Sequence, residues 1–166
     1  MRYLLIFAAL SLSGCGTIPF APSEYPLRDG LIAPLSVNGP IKVANAQAQT
    51  GTVIVYSFGG SELSSDLRSI TEVMVQQTSK ELAKAARQAA GTPKTIELKV
   101  NSLLSKYAGF HWNSTLNFDA KLGNGEVISM NVPHTSGILQ QNLNGNIAES
   151  VLKLLNDQRV HAYLAQ

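Results

Sequence analysis

Ile96-Glu97-Leu98-Lys99-Val100-Asn101 alternates apolar and polar side chains without a break, and a period of two makes it a one-sided β-strand. Leu103-Leu104 prolongs the strand, and Ala108-Gly109 permits a bend. Beyond the bend, Phe110, Trp112, Leu116, Phe118, Ala120 and Leu122 alternate with His111, Asn113, Thr115, Asn117, Asp119 and Lys121, so the second strand has the same polarity. Asn124-Gly125 is the pair that two-residue hairpin turns prefer, and the chain is expected to double back there through Ile128, Met130 and Val132 until Pro133 ends the sheet. Three strands then share one apolar and one polar face.

Upstream, Ile41-Lys42-Val43 and Thr52 to Phe58 are the other strand candidates. The second is mostly β-branched or aromatic and stops at Gly59-Gly60. Those glycines precede a helical pattern but lack the lysine and spacing of a phosphate-binding loop, so they are expected to form a strand-to-helix turn. From about Asp66 to Ala90, Leu67, Ile70, Met74, Thr78, Leu82, Ala85 and Ala89 recur at spacings of three and four, opposite Arg68, Glu72, Gln76, Lys80 and Arg87. Ser64 or Ser65 is the expected cap, with Asp66 in the first turn, and Gly91 and Pro93 stop the helix.

After Pro133, a second helix is expected, capped by Asn142 or Asn144 and with Ile147, Ala148, Val151, Leu154 and Leu155 on its apolar stripe. Val160, Tyr163 and Leu164 suit a short terminal turn on the same core. The fold class that follows is α+β, a two-layer sandwich in which two helices cover one face of a mainly antiparallel sheet of about four to five strands.

The N-terminus carries a different signal. Met1-Arg2 is followed by an apolar run from Tyr3 to Leu10 that breaks at Ser11, Ser13 and Gly14, far short of the ~20 apolar residues a spanning helix needs. Leu12-Ser13-Gly14-Cys15 closes it and resembles the lipobox of bacterial lipoprotein precursors. That resemblance implies that diacylglycerol is attached to the Cys15 thiol, that residues 1–14 are removed as a signal peptide, and that the new amino group is acylated. A single acyl chain anchors marginally, at about 0.8 kcal/mol per buried methylene, so two or three chains on one residue hold a protein to a leaflet. Gly16 and Thr17 offer no aspartate, the usual signal for inner-membrane retention in enterobacterial members, so the expected location is the outer membrane, facing the periplasm.

Residues 15–40 hold five of the seven prolines (Pro19, Pro22, Pro26, Pro34 and Pro40) without apolar periodicity and are expected to form a tether. In extended polyproline geometry, at ~3.1 Å per residue, it holds the domain tens of ångströms from the bilayer. Leu31-Ile32 leaves open that the second half packs along the domain as a strand. The globular domain is then 41–166.

Arg2 is the only charged residue before Cys15 among 13 basic and 11 acidic side chains, so the remainder is near neutral and nucleic acid is disfavoured as a partner. Cys15 is the sole cysteine, and once it carries lipid no disulfide is possible.

Asp66-Leu67-Arg68 with Glu72-Val73, the stretch from Leu98 to Leu103, and Asn146-Ile147-Ala148 through Asp157 to Tyr163-Leu164 together resemble the YajG-like family of small envelope lipoproteins. The resemblance covers the chain from about residue 41 and implies a lipoprotein with no catalytic residues to carry over.

Catalytic signals are sparse. His111, His134 and His161 have no metal-ligand spacing, so neither a metal nor a cofactor is implied. Ser150 and Lys153 match the S-x-x-K spacing of penicillin-interacting enzymes and raise the alternative of a cell-wall hydrolase. The companion motifs S-D-N and K-T-G are absent, and Glu149 four residues before Lys153 gives the lysine an ion-pair role. Tyr107, Phe110, His111 and Trp112 form an aromatic cluster at the bend. Phe110 and Trp112 have inward parity and are expected to be buried, leaving Tyr107 and His111 as candidate contacts for an envelope protein or a second copy of the chain. The functional expectation is a non-catalytic, lipid-anchored binding or assembly module.

Overall fold

A computed structural model describes residues 16–166; the expected signal peptide, with Leu12, Ser13 and Gly14 of the stretch that resembles a lipobox, and Cys15 lie outside them. The fold is α+β. Strands β1 (Thr17–Pro19), β5 (Ser61–Asp66), β4 (Thr52–Phe58), β7 (Lys94–Tyr107), β8 (Trp112–Leu122) and β9 (Val127–Ser136) are neighbours in that spatial order, and β3 (Ile41–Asn45) joins β7 beside β4. The resulting seven-stranded sheet is mixed: β4–β5, β7–β8 and β8–β9 are antiparallel, whereas β1–β5, β3–β7 and β4–β7 are parallel. A second, two-stranded parallel sheet joins β2 (Leu35–Asn38) to β6 (Ala86–Ala89). Helices α1 (Leu67–Ala85) and α2 (Leu139–Leu155) cover the main sheet, and α3 (Gln158–Ala165) packs beside β2. The sheet is thus larger than four or five strands, and the described residues form three helices, not two.

The alternation of β7 and β8 does what its period requires. Ile96, Leu98 and Val100 on β7, and Leu116, Phe118, Ala120 and Leu122 on β8, are buried against the helices. Fully burying a Val, Leu, Ile or Phe side chain contributes about 1.5–3 kcal/mol. A bulge at Asn101 shifts the register between Val100 and Ser102, so Leu103 rather than Ser102 resumes the inward set. Thr71 of α1 accepts a hydrogen bond from the Val100 N–H at 3.1 Å beside the irregularity.

Several local expectations are corrected. Asp66, not Ser64 or Ser65, caps α1: its Oδ1 accepts from Ser69 N at 2.7 Å and its Oδ2 from Ser69 Oγ at 2.6 Å. The two serines belong to β5, whose low strand propensity is overridden because it is paired on both edges, by β1 and β4. Gly59-Gly60 is accordingly a two-residue hairpin turn between β4 and β5, both glycines having positive φ, as a type I′ turn demands. The Asn124-Gly125 reversal is longer than two residues, with Gly125 N donating to Leu122 O and Leu122 N to Glu126 O. Pro133 does not end the sheet: β9 runs through it to Ser136, which is tolerated because β9 is an edge strand whose outer side needs no donor. Helix α1 ends at Ala85 because the alanine-rich stretch after it pairs with β2. Asn142 and Asn144 lie inside α2 and are buried, rather than capping it.

The stretch expected to be a tether is part of the packed structure. Phe20, Leu35 and Val37 are core residues, and the polar groups between them are fastened to the helices. Ser23 and Asn144 exchange two hydrogen bonds, the Tyr25 carbonyl accepts from Gln77 Nε2 at 2.7 Å, and Asn156 of the α2 C-cap bonds Leu31 O and Ala33 N. The prolines fix an extended path across the helices, not a free spacer.

Candidate functional site

The strand registers bring the candidate residues to one end of the sheet. Thr17 lies opposite Glu62, Glu62 opposite Ser57, and Ser61 opposite Phe58. Tyr56 pairs with Ser105, which places Phe58 beside Tyr107; Tyr107 pairs with Trp112, and Trp112 with Ser136. The start of β1, the β4–β5 turn, the β7–β8 loop and the β9–α2 connection therefore share one end, and Gly16, the residue after Cys15, is there too.

Phe58, Tyr107 and Trp112 stack across this end, with ring centroids 4.9 Å apart for the first pair and 5.2 Å for the second, both tilted by 52°. All three continue the inward parity of their strands but lie at the end of the sheet by the first turn of α2, where they are covered only in part. Trp112 is half-buried rather than buried, and its indole N–H meets no acceptor among the described residues. Phe110 departs further from the expectation: it precedes β8, stands on the loop tip, and is 97% exposed. Phe58 and Ile138 are 55% and 54% exposed. Tyr107 is partly exposed within the stack, and His111 is exposed with its Nε2 3.4 Å from Asn113 Nδ2. The structure thus brings Tyr107 and His111 together with three apolar side chains, Phe58, Phe110 and Ile138, that sequence reasoning did not assign to a site.

Beneath the stack, α2 is fixed by a buried polar network. Asn142 Oδ1 accepts from Ser105 Oγ at 2.7 Å, and its Nδ2 donates to Trp112 O at 2.9 Å and His134 O at 3.2 Å. With the Asn146 amide turned so that Nδ2 donates to Val132 O at 3.1 Å, its Oδ1 accepts from Ser114 Oγ at 2.8 Å and Leu116 N at 3.3 Å. Buried polar groups that are fully paired specify one docking of the helix. The signal for them was present as Asn142, Asn144 and Asn146 on alternate positions of one helix, and only the fold shows that they point inward.

The remaining candidates do not converge. Ser150 is completely buried, and its hydroxyl donates to Asn146 O at 2.8 Å within α2, while Lys153 is exposed. The S-x-x-K spacing therefore presents no nucleophile to a substrate. His161 Nε2 lies 2.7 Å from the Leu155 carbonyl near the end of α2, and burial lowers the pKa of His134, with Glu149 opposing the shift. Among the described residues no three His, Cys, Asp or Glu side chains are grouped to hold a metal ion.

The uncovered face of the sheet is polar and bonded across its strands. Asn131 donates to Asn117, Asn117 to Ser102, and Thr135 to Asn113. Ser129 and Asn101 both donate to Asp119, the Ser129 hydroxyl contributing most, and they hold its carboxyl below the usual range. An open groove of about 560 Å³ lies where the segment Pro19–Pro22 passes Asp66 and Glu72, but Asp66 is occupied as the α1 cap. No described helix is long and apolar enough to cross a membrane. Comparison of the chain with protein-family models found no match, and neither did comparison with curated proteins.

Proposed function

We propose that the chain is a lipid-anchored envelope lipoprotein of the outer membrane, a non-catalytic module that presents its sheet to partners in the periplasm. The observation that carries this reading is Leu12-Ser13-Gly14-Cys15 followed, after one residue, by a strand of the folded domain. A lipobox at that place makes the domain itself the thing being anchored, consistent with the resemblance to YajG-like lipoproteins. The hydrolase alternative finds no support in the geometry of Ser150. The open face formed by Asn113, Asn117, Asp119, Asn131 and Thr135 offers directional donors and acceptors to a protein surface or to a second copy of the chain, and needs no cofactor.

Replacing Cys15 by Ser removes the only sulfur able to carry diacylglycerol. The variant is expected to keep its signal peptide, to migrate as the larger precursor and to incorporate no labelled fatty acid. Normal cleavage of Cys15→Ser, or wild-type protein without acyl label, sinks the anchoring reading. A photoreactive residue at position 131, on the open face where β9 forms its edge, is expected to capture a defined envelope protein or the chain itself in intact cells. The same residue at Arg159, on α3, is the control that should capture neither.

A further inference from the structure

We propose that the aromatic end of the sheet is a bilayer-contact surface: Phe58, Tyr107, Phe110 and Ile138 seat in the interfacial region of the membrane beside the lipid on Cys15. The proposal rests on the acylation of Cys15 and adds to it a second, weaker membrane contact made by the fold.

The first argument is position. Thr17 stands in register with Glu62 and, through it, with Ser57. Two residues of fully extended chain reach at most ~7 Å, so lipid on Cys15 cannot be carried away from this end. Strands in a sheet are ~4.8 Å apart, which puts Phe58 about 10 Å and Trp112 about 19 Å from β1 across the same end. A leaflet holding the acyl chains is therefore the surface this end meets.

The second argument is chemistry. Three separate connections converge here, and each offers an exposed apolar side chain: Phe58 at the β4–β5 turn, Phe110 on the β7–β8 loop and Ile138 before α2. Glu62, Lys106 and His111 are the only residues able to carry charge near neutral pH in the two rows of the sheet nearest this end and in its loops, and Glu62 is engaged by Thr17 and Ser57. Tyr107 adds a partly exposed ring with an apolar body and a polar tip, the kind of side chain that settles at the level of lipid headgroups, and Trp112, whose indole nitrogen is buried, backs it within the stack.

Magnitude decides between a bilayer and a protein as occupant. A protein bound here would have to fit between the domain and the leaflet, yet even one packed layer of secondary structure is ~10 Å thick and the connection to Cys15 spans at most ~7 Å. Lipid fits the gap because lipid is already there.

Trp112 is the only tryptophan in the chain and lies within the stack, so its emission reports on this surface alone. The acylated protein is reconstituted in phosphatidylcholine vesicles with and without brominated acyl chains, and the acyl mass is measured on the same sample. Brominated chains are expected to quench Trp112. The variant F58S/F110S, which changes two exposed side chains, should lose most of that quenching while keeping its acyl mass and its circular dichroism spectrum. Acylated wild type whose Trp112 is indifferent to brominated chains, or F58S/F110S quenched as strongly as wild type, overturns the contact and leaves this end to a protein. A sample without acyl mass overturns instead the anchoring reading on which the proposal stands.

Discussion

The Tyr163 hydroxyl takes both backbone groups of Thr95: it accepts from the Thr95 N–H at 2.9 Å and donates to the Thr95 carbonyl at 3.1 Å. It also accepts from Gly123 N at 3.1 Å, so one phenol ties α3 to the start of β7 and to the β8–β9 reversal. Tyr163→Phe keeps the ring in the core and removes only the oxygen. The part-buried Thr95 N–H then has no partner in that position, which is expected to cost about 1–3 kcal/mol. Urea denaturation should show a lower midpoint at unchanged slope, and an unchanged midpoint would mean that water replaces the phenol without loss.

Asn142 is the hub of the buried network, with bonds to Ser105 Oγ, Trp112 O and His134 O. Asn142→Leu is close in volume but strands all three groups. Each unsatisfied buried group costs roughly 1–3 kcal/mol, so the variant is expected to lose several kcal/mol, more than a polar-to-apolar change on the outside of α2. Replacing Gln141, which is exposed, by Leu is the control for the helix itself. If the two variants melted alike, the network would be dispensable.

These two relationships show where the sequence was legible. Strands β7, β8 and β9 were read from a period of two, because burial of one face writes that period directly into the chain. The stripe Leu67, Ile70, Met74, Thr78 and Leu82 located α1 for the same reason, and all five are buried. Strand β5, with the sequence Ser-Glu-Leu-Ser-Ser-Asp, carries no such mark, since pairing on both edges and not side-chain burial makes it a strand. Phe110 misled because parity was extended one step beyond the first residue of β8 into a loop tip. The arrival of Gly16 and Phe58 beside Tyr107 and Trp112 was illegible because it depends on parallel pairings between distant segments, which no local pattern encodes.

Burial holds the pKa of His134 below the ordinary imidazole value of 6.5, so the folded state takes up a proton less readily than the unfolded chain. The sign follows from that difference. The contribution to stability is fully present above the unfolded value and is lost as pH falls through the lower folded value. Stability measured by urea denaturation at about pH 7.5 and about pH 5 should drop at the acid end, and His134→Gln should drop less. A steeper acid loss in His134→Gln than in the wild type would contradict the burial account.

The N-terminal segment gives the sharpest test of how the domain is built. Were residues 16–40 a free spacer, a protein starting at Ile41 would fold as well as one starting at Gly16. The structure instead places Phe20, 7% exposed, in the core, supplies β1 as a partner for β5, and gives β2 as the only partner of β6 among the described residues. The crossing of this segment over the rest leaves no room for error. Gly39 has φ +106°, and a Cβ there would lie 2.1 Å from Thr92 O, while a Cβ on Gly91 would lie 2.7 Å from the Asn38 carbonyl carbon. Gly39→Ala therefore meets both a strained backbone, of order 1–3 kcal/mol, and a backbone clash that no side-chain rotation relieves. Phe20→Ala is expected to cost about 3–5 kcal/mol, the range for a buried aromatic. Secreted into the periplasm behind a conventional signal, the form starting at Gly16 should melt cooperatively, Gly39→Ala and Phe20→Ala should melt lower, and the form starting at Ile41 should be degraded or aggregate. Cooperative melting of the Ile41 form at the temperature of the Gly16 form would restore the spacer and remove the reason for holding the aromatic end against the bilayer.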